Sequence, residues 1–150
     1  MSTEPELANT RAACYMILIK DNKIPLVFRS NTGYRDNEWA LPSGKLDLGE
    51  TFTEGSIREL KEEIGVDAET KDIEHAITSH RKSDNDPRQA WVDIYFVCNK
   101  WQGEPSNTEP HKHSELKWFD LDNLPEDMMG YQKQALEEWK QGKKYTEFDW

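Results

Sequence analysis

The sequence predicts a single α/β domain of the α+β kind, in which a mixed β-sheet is covered by helices. Two observations carry this. Short apolar runs at 12–19, 24–29 and 90–98 read as strands, and two helical segments stand well apart, at 51–64 and about 130–141. No repeat, linker or low-complexity tract divides the 150 residues, which are enough to bury one real core. Residues 1–10 read as a flexible polar tail and 11–150 as the domain.

The elements follow in order. AACYMILI at 12–19 is a buried strand, and Asp21-Asn22-Lys23 turns it into IPLVFR as a hairpin would. Residues 30–37 (SNTGYRDN) have loop chemistry, and Trp39 to Leu41 is a short extended piece stopped by Pro42. Pro42 to Lys45 reads as a turn. Thr51 to Ile64 is the clearest helix: Thr51 and Glu54 form a capping-box pair, and Gly65 supplies the left-handed stop. IEHAITSHR at 73–81 and AWVDIYFVC at 90–98 are two strands joined by the polar turn SDNDP. Residues 102–114 form a loop, 115–119 a short strand, and Asp120 to Pro125 a tight turn. The second helix follows, and KKYTEFDW closes the chain.

Composition narrows the function. The formal net charge is -10, which argues against gripping a nucleic-acid backbone, a task for surplus Lys and Arg. A small phosphorylated substrate stays open, because a divalent cation reverses the sign locally. Cys14 and Cys98 both sit in apolar runs and read as reduced core residues. MSTEPELANTR lacks the basic and apolar regions of a signal peptide, and no apolar run approaches the roughly 20 residues that cross a bilayer. The expectation is a cytoplasmic protein without a membrane or nucleic-acid partner, a monomer or homodimer.

The stretch GKLDLGETFTEGSIRELKEEIGV at 44–66 holds six carboxylates. At about 100° per residue, Ile57, Leu60 and Ile64 form a core-facing stripe with Thr53 beside it. Glu59, Glu62 and Glu63 share an adjoining stripe, and Arg58, Lys61 and Glu54 take the more exposed side. Three like charges at helical spacing repel, so they call for solvation or for a cation. Gly55 costs roughly 1 kcal/mol of helix stability relative to Ala, which is explained if a ligand needs the space. Hard divalent cations take carboxylate and carbonyl oxygens and keep waters for substrate phosphates.

These 23 residues resemble the Nudix box, G-x(5)-E-x(7)-R-E-U-x-E-E-x-G-U with U a bulky aliphatic. Gly44, Glu50, Arg58, Glu59, Leu60, Glu62, Glu63, Gly65 and Val66 fill every defined position. Ser43 stands where many members carry glycine, and WF-DLDNLP is similar to a segment near the end of such domains. The resemblance implies a Nudix α/β/α sandwich with a catalytic loop–helix–loop at 44–66. It implies Mg²⁺, or Mn²⁺ in its place, bound by Gly44, Glu59, Glu62 and Glu63, with Arg58 and Glu50 bracing the loop. Lys45 lies where it can meet a phosphate. Glu59 or Glu63 is the implied proton acceptor, assisted by Glu109, with Glu115 its rival.

The implied activity is hydrolysis of a diphosphate bond in a small nucleotide substrate. Residues 80–84 (HRKSD) lack both the proline of many ADP-ribose hydrolases and the tyrosine of dinucleoside polyphosphate hydrolases. WQGEP looks more like MutT-type enzymes that cut a nucleoside triphosphate to monophosphate and pyrophosphate. The alternatives are an ADP-ribose or nucleotide-sugar pyrophosphatase, a non-catalytic nucleotide sensor, and a diphosphate isomerase, for which Cys14 is a poor nucleophile. Trp39, Tyr34, Trp91 and Tyr95 are the candidates for stacking a base.

Overall fold

The computed structural model describes residues 4–150. Eight strands and two α-helices follow one another as β1 (Asn9–Leu18), β2 (Lys23–Arg29), β3 (Trp39–Ala40), β4 (Ser43–Lys45), α1 (Phe52–Ile64), β5 (Ile73–Lys82), β6 (Gln89–Cys98), β7 (His113–Asp120), α2 (Gly130–Lys140) and β8 (Tyr145–Phe148). A five-stranded mixed sheet has the order β4-β1-β6-β5-β8, and a three-stranded antiparallel sheet the order β3-β2-β7. In the large sheet β1 runs parallel to β6, and β8 parallel to β5.

The near-continuous apolar run of β1 is explained by burial on both faces. Cys14, Met16 and Leu18 meet Leu60, Ile64 and Val66 of the α1 side in one core cluster. Ala13, Tyr15 and Ile17 meet Tyr131, Ala135 and Leu136 of the α2 side in the other. Two helices thus cover opposite faces of one sheet, an α/β/α sandwich, as expected.

Several local expectations are corrected. The turn after β1 has the right chemistry, with Asp21 and Asn22 both left-handed (φ 53° and 59°). It closes only one pair, Lys20 with Lys23, and the strands then part into different sheets. The Ile19 amide already bonds to the Cys98 carbonyl at 3.0 Å, so the chain leaves the turn committed to β6 rather than to β2. Both runs are apolar throughout, so each needs cover on two faces, which a lone hairpin does not supply.

Residues 43–45, expected as a turn, pair antiparallel with β1, Ser43 opposite Tyr15 and Gly44 opposite Cys14. β7 begins at His113 rather than 115, because a backbone irregularity at Phe28/Arg29 lets Arg29 pair with His113. The closing segment is a strand: Tyr145 to Phe148 lie beside Thr78 to Arg81. β1 starts at Asn9, inside the stretch expected as tail; residues 1–3 of that stretch lie outside the described residues.

Candidate active site

Helix α1 is held at both ends as its sequence dictates. The Thr51 hydroxyl accepts the Glu54 amide at 3.1 Å and donates to the Glu54 carboxylate at 3.0 Å. At the far end Gly65 adopts φ 73° and its amide reaches back to Leu60 and Lys61. The buried residues are Gly55, Ser56, Leu60, Glu63 and Ile64. The core stripe is therefore rotated from the expected one: Ile57 is half-buried, and Ser56 and Glu63 turn inward.

Gly55 has a different cause from the one expected. A Cβ there would lie 2.7 Å from Leu46 and 3.0 Å from Glu50 Oε1, so the glycine admits the 46–50 loop, not a ligand. Gly44 admits a side chain. A Cβ on Gly44 would sit 2.1 Å from both Cδ and Oε1 of Glu59, so the strand and the carboxylate touch. The Gly44 carbonyl oxygen accepts the Cys14 thiol at 3.5 Å. Gly44→Ala should push the Glu59 side chain away. We expect kcat to fall roughly 10-fold or more, as misplacement costs in such sites, with a lower melting temperature as well, because the displaced Glu59 gives up its 2.8 Å ion pair with Arg58. Paired kinetic and melting measurements check it; wild-type kcat would contradict it.

The three glutamates of the stripe have three environments. Glu63 is 8% exposed, and its Oε2 accepts the Ser43 amide at 3.0 Å. Burial first, then the charges of Glu59 and Glu109, push its pKa up to about 8. Glu59 is also raised, chiefly by burial and against the pull of Arg58. Glu62 is exposed. Arg58, expected on the exposed side, turns inward over the carboxylates. Its Nη1 donates to Glu59 Oε1 at 2.8 Å and Glu62 Oε2 at 3.1 Å, while Nε and Nη2 grip Glu50 at 2.7 and 2.9 Å. Nη2 also reaches the Lys45 carbonyl at 3.2 Å. The Arg58 bonds and the Asp47 amide hold Glu50 down at about 2.

Residues 104–112 cap the C-terminal end of α1. Thr108 donates through Oγ1 to the Glu62 carbonyl at 2.6 Å and through its amide to that of Glu63 at 3.2 Å, and the Ser106 amide reaches Ile64 at 2.9 Å. That turn carries Glu109, whose charge is felt by both Glu59 and Glu63. Glu115 lies elsewhere, exposed on β7 opposite Phe28.

A cleft of ≈ 790 Å³ opens beside this helix. Glu59, Glu63 and Gly44 line it, and so do Lys45, Arg29 and Lys112. Tyr34 and Trp91 line it too, whereas Trp39 and Tyr95 are buried in the core, Tyr95 stacked on Tyr15 at 4.6 Å. Arg29, Arg81 and Thr108 were not anticipated. Arg81 had one visible signal: it continues the inward alternation of Ile77 and Ser79 along β5.

The donors that Gly44, Glu59, Glu62 and Glu63 offer a divalent cation are all oxygens, the kind that hard ions take. Glu63 is the telling residue. It is a buried carboxylate with no ion pair among the described residues, and a bound cation would reverse its raised pKa. The chemistry fits. Among the described residues no three acid, histidine or cysteine groups converge, and Arg58 bonds both Glu59 and Glu62.

Comparison with known proteins follows the same lines. The NUDIX domain family model matches residues 9–139. An ADP-ribose pyrophosphatase of Methanocaldococcus jannaschii is 35% identical over 128 residues, covering 84% of this chain and 72% of its own. The 8-oxo-dGTP diphosphatase of Escherichia coli is 25% identical over 108 residues, 71% of this chain and 80% of that one. The crystal structure of a MutT NUDIX hydrolase from Burkholderia pseudomallei superposes with a TM-score of 0.77 at 29% identity, covering 86% of this chain and 97% of that one.

Proposed function

Because this chain belongs to the Nudix family of pyrophosphohydrolases, we propose that it cleaves a nucleoside triphosphate to the monophosphate and pyrophosphate with Mg²⁺, for which Mn²⁺ substitutes. The observation that carries the reading is the two-sided cleft. Glu59, Glu63 and the Gly44 backbone form one wall, and Arg29, Lys45 and Lys112 supply cations in the same space. Its volume of ≈ 790 Å³ matches the roughly 300–1,000 Å³ of small-ligand sites.

Gly44, Glu59, Glu62 and Glu63 would hold the ion. When bound, it supplies positive charge at the phosphates and lowers the pKa of a water. The chain's residues do the rest. Arg58 ties helix to loop, so that Gly44 and Glu59 keep their contact. Lys45, Arg29 and Lys112 neutralise phosphate oxygens, which a chain of net charge -10 would otherwise repel. Burial makes Glu63 a carboxylate that holds its proton near neutral pH unless a cation faces it. Glu59 is the acceptor for the proton of the attacking water, and Glu109 assists from the capping turn. Catalysis of this kind supplies about 10²–10⁴-fold.

A cleft of this volume suits a small nucleotide. The free buried thiols of Cys14 and Cys98 support a cytoplasmic setting. Among the described residues no helix is long and apolar enough to cross a membrane.

A second reading, ADP-ribose or nucleotide-sugar hydrolysis, is favoured by the 35% identity to the archaeal ADP-ribose pyrophosphatase. Product analysis on a panel of nucleoside triphosphates and ADP-ribose at equal concentration separates the two. Triphosphates should be faster and give monophosphate and pyrophosphate. A tenfold advantage for ADP-ribose would reverse the preference and leave the reaction class standing.

A further inference from the structure

The end of the cleft lined by Arg81 and Trp91 is built unlike the glutamate wall. Arg81 on β5 is 4% exposed, yet it lines the cleft. Its guanidinium lies over the Tyr131 ring, 3.9 Å from the centroid, with Trp91 at 5.4 Å. Nε and Nη2 are committed to Asp93, at 2.7 and 3.4 Å. Asp93 is 0% exposed and also accepts the Tyr15 hydroxyl at 3.2 Å, so the guanidinium is fixed in place. Nη1 has no partner among the described residues. Nη1 is not one of the buried unpaired side-chain atoms of the described residues, so it keeps access to the cleft that Arg81 lines and can donate to a ligand acceptor there.

Three features describe the acceptor. Trp91 and Tyr34 are half-buried aromatics in the same cleft, which favours a planar ring. The arginine charge felt at Glu63 is that of Arg29, whereas Arg81 is neutralised by Asp93; Arg81 therefore adds little net charge for a phosphate. Nη1 has only hydrogens to offer. A ring carbonyl projecting toward it is a partner, while the exocyclic amino group of adenine presents a second donor.

We propose that Arg81 is a specificity-determining residue: its Nη1 donates to a nucleobase carbonyl at the Trp91 end of the cleft, so the enzyme prefers oxo-bases (hypoxanthine, guanine, uracil) to adenine. This rests on the pyrophosphohydrolase reading above and adds the base. It also weighs against adenine-containing ADP-ribose as the preferred substrate.

Inosine and adenosine triphosphates differ at the 6-position, oxo against amino, so they isolate the contact. Wild-type protein with Mg²⁺ should show kcat/KM for ITP about tenfold or more above that for ATP, the value of one good hydrogen bond, with the difference mainly in KM. Arg81→Lys keeps a cation beside Asp93 and loses Nη1; it should bring the ratio to within about threefold. Trp91→Ala should weaken both nucleotides and leave the ratio intact, since every base has a face to stack. A wild-type ratio under threefold overturns the assignment even if Arg81→Lys fails to fold. So does an Arg81→Lys protein that loses ITP and ATP equally, which would make Arg81 a phosphate ligand. If neither triphosphate is hydrolysed, the reaction reading fails on its own. Calorimetric binding of IMP against AMP to the wild type then decides the Arg81 contact by the same tenfold criterion.

Discussion

Glu63→Gln should abolish turnover, by roughly 100-fold or more, while leaving the fold intact and, in metal-free buffer above neutrality, more stable than the wild type. The glutamine keeps an oxygen for the Ser43 amide and has the shape of the protonated acid. The sign follows from the raised pKa. Below pH 4.5 Glu63 is protonated in both folded and unfolded chains and costs nothing. As pH rises from 4.5 to about 8 the unfolded chain ionises first, so wild-type stability is progressively lost. Melting temperatures without metal should therefore coincide at low pH and diverge toward pH 8 and above, with the variant higher. Near-wild-type turnover in saturating Mg²⁺ would remove Glu63 from the site.

Arg58→Ala should lower stability and activity together. The guanidinium bonds to Glu50, Glu59, Glu62 and the Lys45 carbonyl, and the side chains of Glu50 and Glu59 are each only 12% exposed. Its removal leaves these carboxylates without their counter-ion. Arg58 itself is a quarter exposed, so solvent softens the loss, and about 2–3 kcal/mol is expected. That corresponds to a fall in melting temperature on the order of 5–10 °C for a domain of this size. Arg58→Lys should recover part of the stability and little of the planar bracing. Lost activity at an unchanged melting temperature would mean that Arg58 acts on substrate directly.

Legibility varied with the range of the interaction. Helix α1 was readable to within a residue because its signals are local, Thr51 with Glu54 at one end and Gly65 at the other. The pairing of β1 was not, because the turn at Asp21-Asn22 has hairpin chemistry whatever the strands do afterwards. Only the need of both runs for cover on two faces separates them, and that depends on elements 80 residues away. β8 was missed for a related reason: its four residues, YTEF, form no apolar run and pair at a sheet edge.

The candidate site divides similarly. The box positions carry their own spacing, so Gly44, Glu59 and Glu63 could be named together before any fold was known. Their inequality was not visible, since helical angle alone gives the three glutamates one stripe and says nothing of the strand that buries Glu63 and the arginine that holds Glu62 outward. Glu109 was preferred to Glu115 in the sequence only through its resemblance in spacing to MutT-like members. The capping of α1 by Thr108 separates them, a contact across 46 residues.

The most direct measurement is the proton count when the metal-free protein binds Mg²⁺. With Glu63 held near 8 by burial, an ion that takes this carboxylate at pH 7 must displace its proton. Titration calorimetry in buffers of different ionisation enthalpy should report close to one proton released per protein at pH 7, falling toward zero above pH 9, and none for Glu63→Gln. Binding of equal affinity without proton release in the wild type would show that the ion sits elsewhere and contradict the account.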